Sequence, residues 1–261
     1  MLRSHRARTA ANSAAYLLPH LRPTDRLLDV GSGPGTITAD LARLVGEVVA
    51  LEINVEAAGL TREELARQGV TSAQVIVGDV HVLTLPDDGF DVVHAHQVLQ
   101  HVADPVAALR EMARVTRPGG VVAVRDSDYA AFAWYPRLPG LDRWLELYEA
   151  AARANGGEPD AGRHLLAWAR AAGLGDVTAT SSTWCFATPE SRAWWGGMWA
   201  ERVTGSALGE QLLRDGYADR AELAGIADAW RTWASHPDGW ISIPHGELVA
   251  VVGASSYLPG T

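Results

Sequence analysis

The chain has 261 residues, 22 basic against 31 acidic side chains, and a formal net charge of −9 at pH 7. An acidic balance with no basic tract beyond Arg3, Arg6 and Arg8 argues against nucleic acid as a partner, because phosphate neutralisation needs clustered cations. Hydrophobic residues at 48% and charged residues at 20% describe an ordinary globular chain, and a lone Cys185 makes neither an internal disulfide nor a cysteine metal site.

Two distributions divide the chain. Every basic residue is Arg, with no Lys, and all ten Trp lie between Trp134 and Trp240. The first half and the second half are therefore expected to do different jobs.

Residues 5–20 place Ala11, Ala14, Ala15 and Leu18 at helical spacing, with Pro19 near the end of the stretch. Arg26–Val30 is a short apolar strand running directly into Gly31-Ser32-Gly33-Pro34-Gly35. The pattern then predicts a helix over Thr36–Val45, a buried strand at Val48–Leu51, and a helix over Val55–Gln68 stopped by Gly69. Strands follow at Gln74–Val77 and Phe90–Ala95, the latter after the turn Pro86-Asp87-Asp88-Gly89. Asp104 caps a helix over Pro105–Val115, and Gly119–Arg125 is the fifth strand. Such strand–helix alternation predicts a parallel sheet covered on both faces, and right-handed crossovers make it a doubly wound α/β domain.

After Arg125 the rhythm changes. Leu141–Asn155 and Ala161–Ala172 read as helices, Asp176–Ala187 and Trp240–Val252 as strands, and Cys185 as a small apolar filler of its strand. Pro189–His236 is mostly helical and Trp-rich, an insertion between the last two strands. The expected architecture is one domain over 1–261 with a mostly parallel seven-stranded sheet, a cofactor-binding core at 27–128 and a helical cover at 189–236. No run approaches the ~20 apolar residues that span a bilayer, and no signal-peptide pattern opens the chain, so no membrane partner is expected and a cytoplasmic protein is.

Chemistry concentrates at the loop after the first strand. Without a Cβ, glycine lets the chain turn tightly and lets a ligand reach the backbone, while the following helix offers free N–H groups. Glu52, ending the second strand, is placed to accept hydrogen bonds from two ribose hydroxyls. Dinucleotide binding asks for Gly-x-Gly-x-x-Gly, but Thr36 stands where the third glycine belongs, which disfavours a nicotinamide oxidoreductase. The structural alternatives are a plain turn for the glycines, solvated strand ends for Glu52 and Asp79, and helix capping for Asp29.

The run Asp29-Val30-Gly31-Ser32-Gly33-Pro34-Gly35 resembles motif I of the class I S-adenosylmethionine-dependent methyltransferases. Gly78-Asp79-Val80 resembles the segment whose acid takes the adenine amino group. Phe90-Asp91-Val92-Val93, followed by Val98-Leu99-Gln100-His101-Val102, resembles the fourth-strand motif that passes the methionine end of the cofactor. Arg117-Pro118-Gly119-Gly120 resembles the turn into the fifth strand. The likeness spans Leu27–Arg125 and is nearest the small-molecule branch, similar to quinone-biosynthesis and natural-product methyltransferases.

That resemblance implies a Rossmann-like methyltransferase fold with S-adenosylmethionine as cofactor; apart from it, no metal site and a monomer or homodimer are expected. It implies a cofactor site drawn from Tyr16, Asp29, Gly31, Ser32, Gly33, Gly35, Glu52, Ile53, Asn54, Gly78, Asp79, Val80, His96, Gln97 and His101. His96 and Gln97 depart from the small or amide residues common after the fourth strand. The implied activity is methyl transfer to an O, N or C atom of a small hydrophobic, aromatic or polyketide-like metabolite. A cyclase or isomerase built on the same fold is the alternative, since fold does not fix function.

On the acceptor side, His94, His96, His101, Asp126, Asp128 and Tyr129 gather at the ends of the fourth and fifth strands. Strand alternation buries His94 beneath a helix and leaves His96 at the end where ligands bind. Histidine titrates near neutrality, which makes His96 the candidate catalytic base. With no Lys, any base is His, Asp, Glu or Tyr. Trp194, Trp195, Trp199, Trp230 and Trp233 recur at helical spacing, most of them as core and a minority as pocket walls. Asp128, Trp134, Arg163 and Trp195 are the candidate substrate contacts, Arg163 for an anionic group.

Overall fold

A computed structural model describes residues 7–253, so Arg3, Arg6 and the start of the helix expected from residue 5 lie outside the described residues. Five strands pair in parallel in the order β3-β2-β1-β4-β5: β1 (Arg26–Val30), β2 (Glu47–Glu52), β3 (Ala73–Val77), β4 (Phe90–His96) and β5 (Thr116–Ser127). Short β6 (Ala133–Tyr135) and long β7 (Asp176–Phe186) both run antiparallel to β8 (Trp240–Val251). β8 is antiparallel to β5 as well, and is therefore the one reversed strand of a mostly parallel sheet. β6 adds an eighth strand to the seven expected.

Nine helices accompany these strands among the described residues: α1 (Ala10–Ser13), α2 (Thr36–Leu41), α3 (Val55–Arg67), α4 (Pro105–Val115), α5 (Pro139–Ala154), α6 (Ala161–Ala171), α7 (Pro189–Gly205), α8 (Ala207–Arg214) and α9 (Arg220–Ser235). Alternate strand residues feed opposite faces of the sheet. Leu28, Val93, Ala95 and Val122 bury against Leu109 and Met112 of α4 and Leu165 of α6. Leu27, Val48 and Val92 bury against Ala10 of α1 and Ile37 and Leu41 of α2. A separate apolar cluster joins α5, α7 and α9 to Ile241 and Ile243 of β8, with Trp144, Trp195, Trp199, Trp230 and Trp233 all buried in it.

Four expectations need correcting. The helix after the glycine loop ends at Leu41 instead of Val45. Among the described residues the N-terminal stretch holds the four-residue α1 and a 3-10 turn at Leu18–His20, in whose first positions Pro19 needs no N–H, instead of one continuous helix. The stretch 189–236 divides into α7, α8 and α9, with Ser206 and Asp219 capping the later two. Cys185 does lie on β7, but it is exposed rather than a filler of the core.

Candidate active site

A cavity of about 560 Å³ opens where β1, β2 and β4 end and extends to the face of α7. Its first wall is the glycine loop. Gly31 has φ +68°, and a Cβ there would stand 2.5 Å from Val98 Cγ2, so only glycine fits. Gly35, at φ +83°, has a different task. A Cβ on it would meet Thr61 of α3 at 3.0 Å, so it permits α2 to approach α3 and is not itself a wall.

Glu52 is 7% exposed, and its carboxylate accepts from the Gly33 amide and, at 3.3 Å, from the Ile53 amide. Burial raises its pKa, and those two N–H bonds oppose the shift. Asp29 is buried between α2 and β4, accepting from Thr38 Oγ1 at 2.6 Å and pairing with His94 Nδ1 at 2.8 Å. That contact explains why His94 sits fully buried. Asp79 stands half-exposed and accepts the His81 amide at 2.9 Å and the His81 ring at 2.7 Å. The amide bond first, and then the ring, hold its carboxyl below the usual range.

The opposite half is built differently. Gln97 follows β4 with φ +54°, a left-handed conformation that a non-glycine residue adopts at a cost. Its amide N–H donates to Arg125 O at 2.7 Å, and its side chain bridges Arg8 and His245. His96 is 6% exposed with neither ring nitrogen partnered, its ring 5.9 Å from that of Trp184. Burial first, and then the charges of Arg8 and Arg125, push the imidazole well below 6.5, so it is neutral at pH 7. His101 is pushed down to about 4 by burial and by Arg202 and Arg8. Behind the cavity, Asp126 accepts the Gln100 amide at 3.1 Å, and burial lifts it to about 7.

The cavity brings together many of the residues singled out from the sequence. Asp29, Gly31, Ser32, Gly33, Glu52 and Ile53 line it from β1 and β2. Gly78, Asp79, Val80, His96, Gln97 and His101 line it from the ends of β3 and β4, and Trp195 from α7. The others are elsewhere. Tyr16 packs on the α1–α2 side with its hydroxyl buried and unpartnered. Asn54 caps α3, accepting from Ala57 N at 2.9 Å. Trp134 is buried in the helical cluster beneath the Arg137 guanidinium.

Asp128 and Arg163 satisfy one another through paired bonds of 2.6 and 2.5 Å, so the Arg163 charge is already neutralised, and neither residue lines the cavity. The walls not foreseen include Arg8, Phe132, Tyr148, Trp184, Met198 and Arg202. One signal was legible: Trp195, Trp199 and Arg202 are spaced i, i+4, i+7 and share one helical face.

These residues fit an adenosyl cofactor, since a loop closed to any Cβ adjoins a buried carboxylate with room for further donors. A glycine loop after β1, an acid ending β2 and one reversed strand beside β5 define the class I S-adenosylmethionine-dependent methyltransferases. Residues 28–124 match the family described as Methyltransferase domain. Over 256 residues the chain is 36% identical to an uncharacterized methyltransferase of Schizosaccharomyces pombe, covering 94% of this chain and 91% of that protein. Over 121 residues it is 37% identical to the ubiquinone/menaquinone biosynthesis C-methyltransferase UbiE of Vibrio vulnificus, covering 42% and 44%. The fold is shared with the [4+2]-cyclase SpnF, at a TM-score of 0.58 and 21% identity, covering 96% and 85%. The chain belongs to the class I methyltransferases of the small-molecule type, with S-adenosylmethionine as cofactor.

Proposed function

We propose that this enzyme methylates an O, N or C atom of a flat, apolar, aromatic or polyketide-like metabolite. The observation that carries the reading is the continuity of one cavity, from the glycine loop and Glu52 at one end to His96, Tyr129, Phe132, Tyr148, Trp195 and Trp199 at the other. S-Adenosylmethionine, when bound, supplies an electrophilic methyl group on a sulfonium.

Glu52 accepts the ribose hydroxyls, Asp79 the adenine amino group, and Asp29 faces the ammonium. Tyr129 and Phe132 stack at 4.5 Å, and Tyr129 and Tyr148 at 4.0 Å, which fixes an aromatic wall that orients a planar acceptor and excludes water. His96, neutral and unpartnered, accepts the hydrogen bond of an acceptor hydroxyl and positions its oxygen, and its depressed basicity suits it to hold that proton in a hydrogen bond and not to remove it. The helices of 189–236 act as the cover in which acceptor specificity resides.

The test is incubation with methyl-labelled cofactor and a panel of phenols and naphthols. Label in any product supports transfer. S-Adenosylhomocysteine binding with no label in any product favours a cyclase or isomerase, the reading that the fold likeness to SpnF keeps in play.

A further inference from the structure

From the charges on the cavity walls, and resting on the methyltransferase reading above, we infer that the acceptor is an aromatic carboxylic acid and that Arg202 binds its carboxylate. Arg202 is on α7, its guanidinium 4.5 Å from the Trp199 ring and 5.8 Å from that of Tyr148. Its Nε is buried without a hydrogen-bond partner, carboxylate or other, among the described residues. Arg8 lines the same cavity with its own Nε buried and unpartnered, bonded to the neutral Gln97 and lying over Trp184 at 5.6 Å.

The wall carboxylates are all at the other end and engaged: Asp29 with Thr38 and His94, Glu52 with Gly33 and Ile53, Asp79 with His81. The groups facing Arg202 add no negative charge, since His101 is neutral and burial raises the Tyr129 phenol well above 10. Two guanidiniums thus share an end of the cavity whose walls carry no carboxylate, an arrangement whose cost a bound anion removes.

A cofactor brings one carboxylate, enough for one guanidinium. Arg202 is the one set among aromatic walls, where a planar acid has its ring on Tyr148 or Trp199 and its carboxylate on the arginine fork. Arg163, the anion-binding candidate from the sequence, is occupied by Asp128.

The test is titration calorimetry of 1-hydroxy-2-naphthoate and 1-naphthol in saturating S-adenosylhomocysteine, on wild type, Arg202→Met and Arg202→Lys. Wild type is expected to bind the acid at least ~10-fold more tightly than the naphthol, as a charge-assisted bond in a dry site provides. Arg202→Met should bring the two within about twofold, and Arg202→Lys should restore part of the difference, since the lysine keeps the charge but loses the fork. Unchanged S-adenosylhomocysteine affinity shows that both variants are folded and that Arg202 serves the acceptor. Equal binding by wild type, binding of neither compound, or a preference surviving in Arg202→Met overturns the inference. Failure of S-adenosylhomocysteine to bind wild type defeats the cofactor reading instead, and the same comparison run without it still decides the arginine.

Discussion

Replacing Glu52 by Gln separates the charge of this group from its shape. The carboxylate has about four lone-pair directions, and Gly33 and Ile53 occupy two of them, leaving two for ribose hydroxyls. Gln retains one acceptor oxygen, places an NH₂ against a backbone N–H and removes the charge. A hydrogen bond to a charged group is worth about 1.5–3 kcal/mol, so S-adenosylhomocysteine should bind roughly 10- to 150-fold more weakly.

The sign of the pH dependence follows from burial, which raises the folded-state pKa of Glu52. Only the carboxylate accepts both hydroxyls, so wild-type affinity falls as pH drops through that raised value and is flat above it. The Glu52→Gln variant has no proton to take up at this position and should be insensitive across the same window. Isothermal titration between mildly acidic and neutral pH reads both effects. Unchanged affinity in the variant, or a wild-type affinity indifferent to pH, refutes the assignment of Glu52 to the cofactor.

Three further outcomes are expected. Asp126 has a folded value of about 7 against an unfolded ~3.9, so its stabilising contribution is present in acid and lost as pH rises between those values. Thermal melts should therefore show Asp126→Asn gaining on wild type from pH 4 to pH 7 and holding level above; a constant difference refutes this. Arg125, 1% exposed, pairs with Glu247 across β5 and β8 at 3.2 Å, so Arg125→Met strands a buried carboxylate at a cost of about 3–5 kcal/mol. At ~2–4 °C per kcal/mol the Tm should drop by roughly 10 °C, and adding Glu247→Leu should recover much of it. His96→Asn should lower kcat by ~10²-fold with little change in cofactor affinity, and the wild-type kcat profile should show no limb at 6.5. Equal turnover in the variant demotes His96 to a wall.

Much of the donor half was legible because it is local. A strand that ends in Gly31-Ser32-Gly33, and a strand that ends in Glu52, must meet once β1 and β2 pair in parallel, since Val30 then lies opposite Leu51. Period-2 apolar runs and Gly punctuation carry that information in the chain itself. Two local details still escaped. Gly35 serves the packing of α2 on α3, and Asn54 caps a helix, because near-identical spacing suits a ligand contact and a structural one.

The acceptor half depended on contacts far apart in sequence. Asp128 and Arg163 are 35 residues apart and cancel one another, and nothing in their local surroundings announced it. Arg8 reaches Gln97 across 89 residues. Six of the ten Trp are buried among the walls and the core of α5, α7 and α9, where helical spacing marks a buried face but not which element it meets. The sequence by itself determined the doubly wound sheet, the glycine loop and the strand-end acids, since short-range periodicity and glycine stereochemistry specify them. Only the tertiary structure decided which charges are spent on one another and which remain facing the cavity, because pairing and desolvation are properties of distance in space, not along the chain.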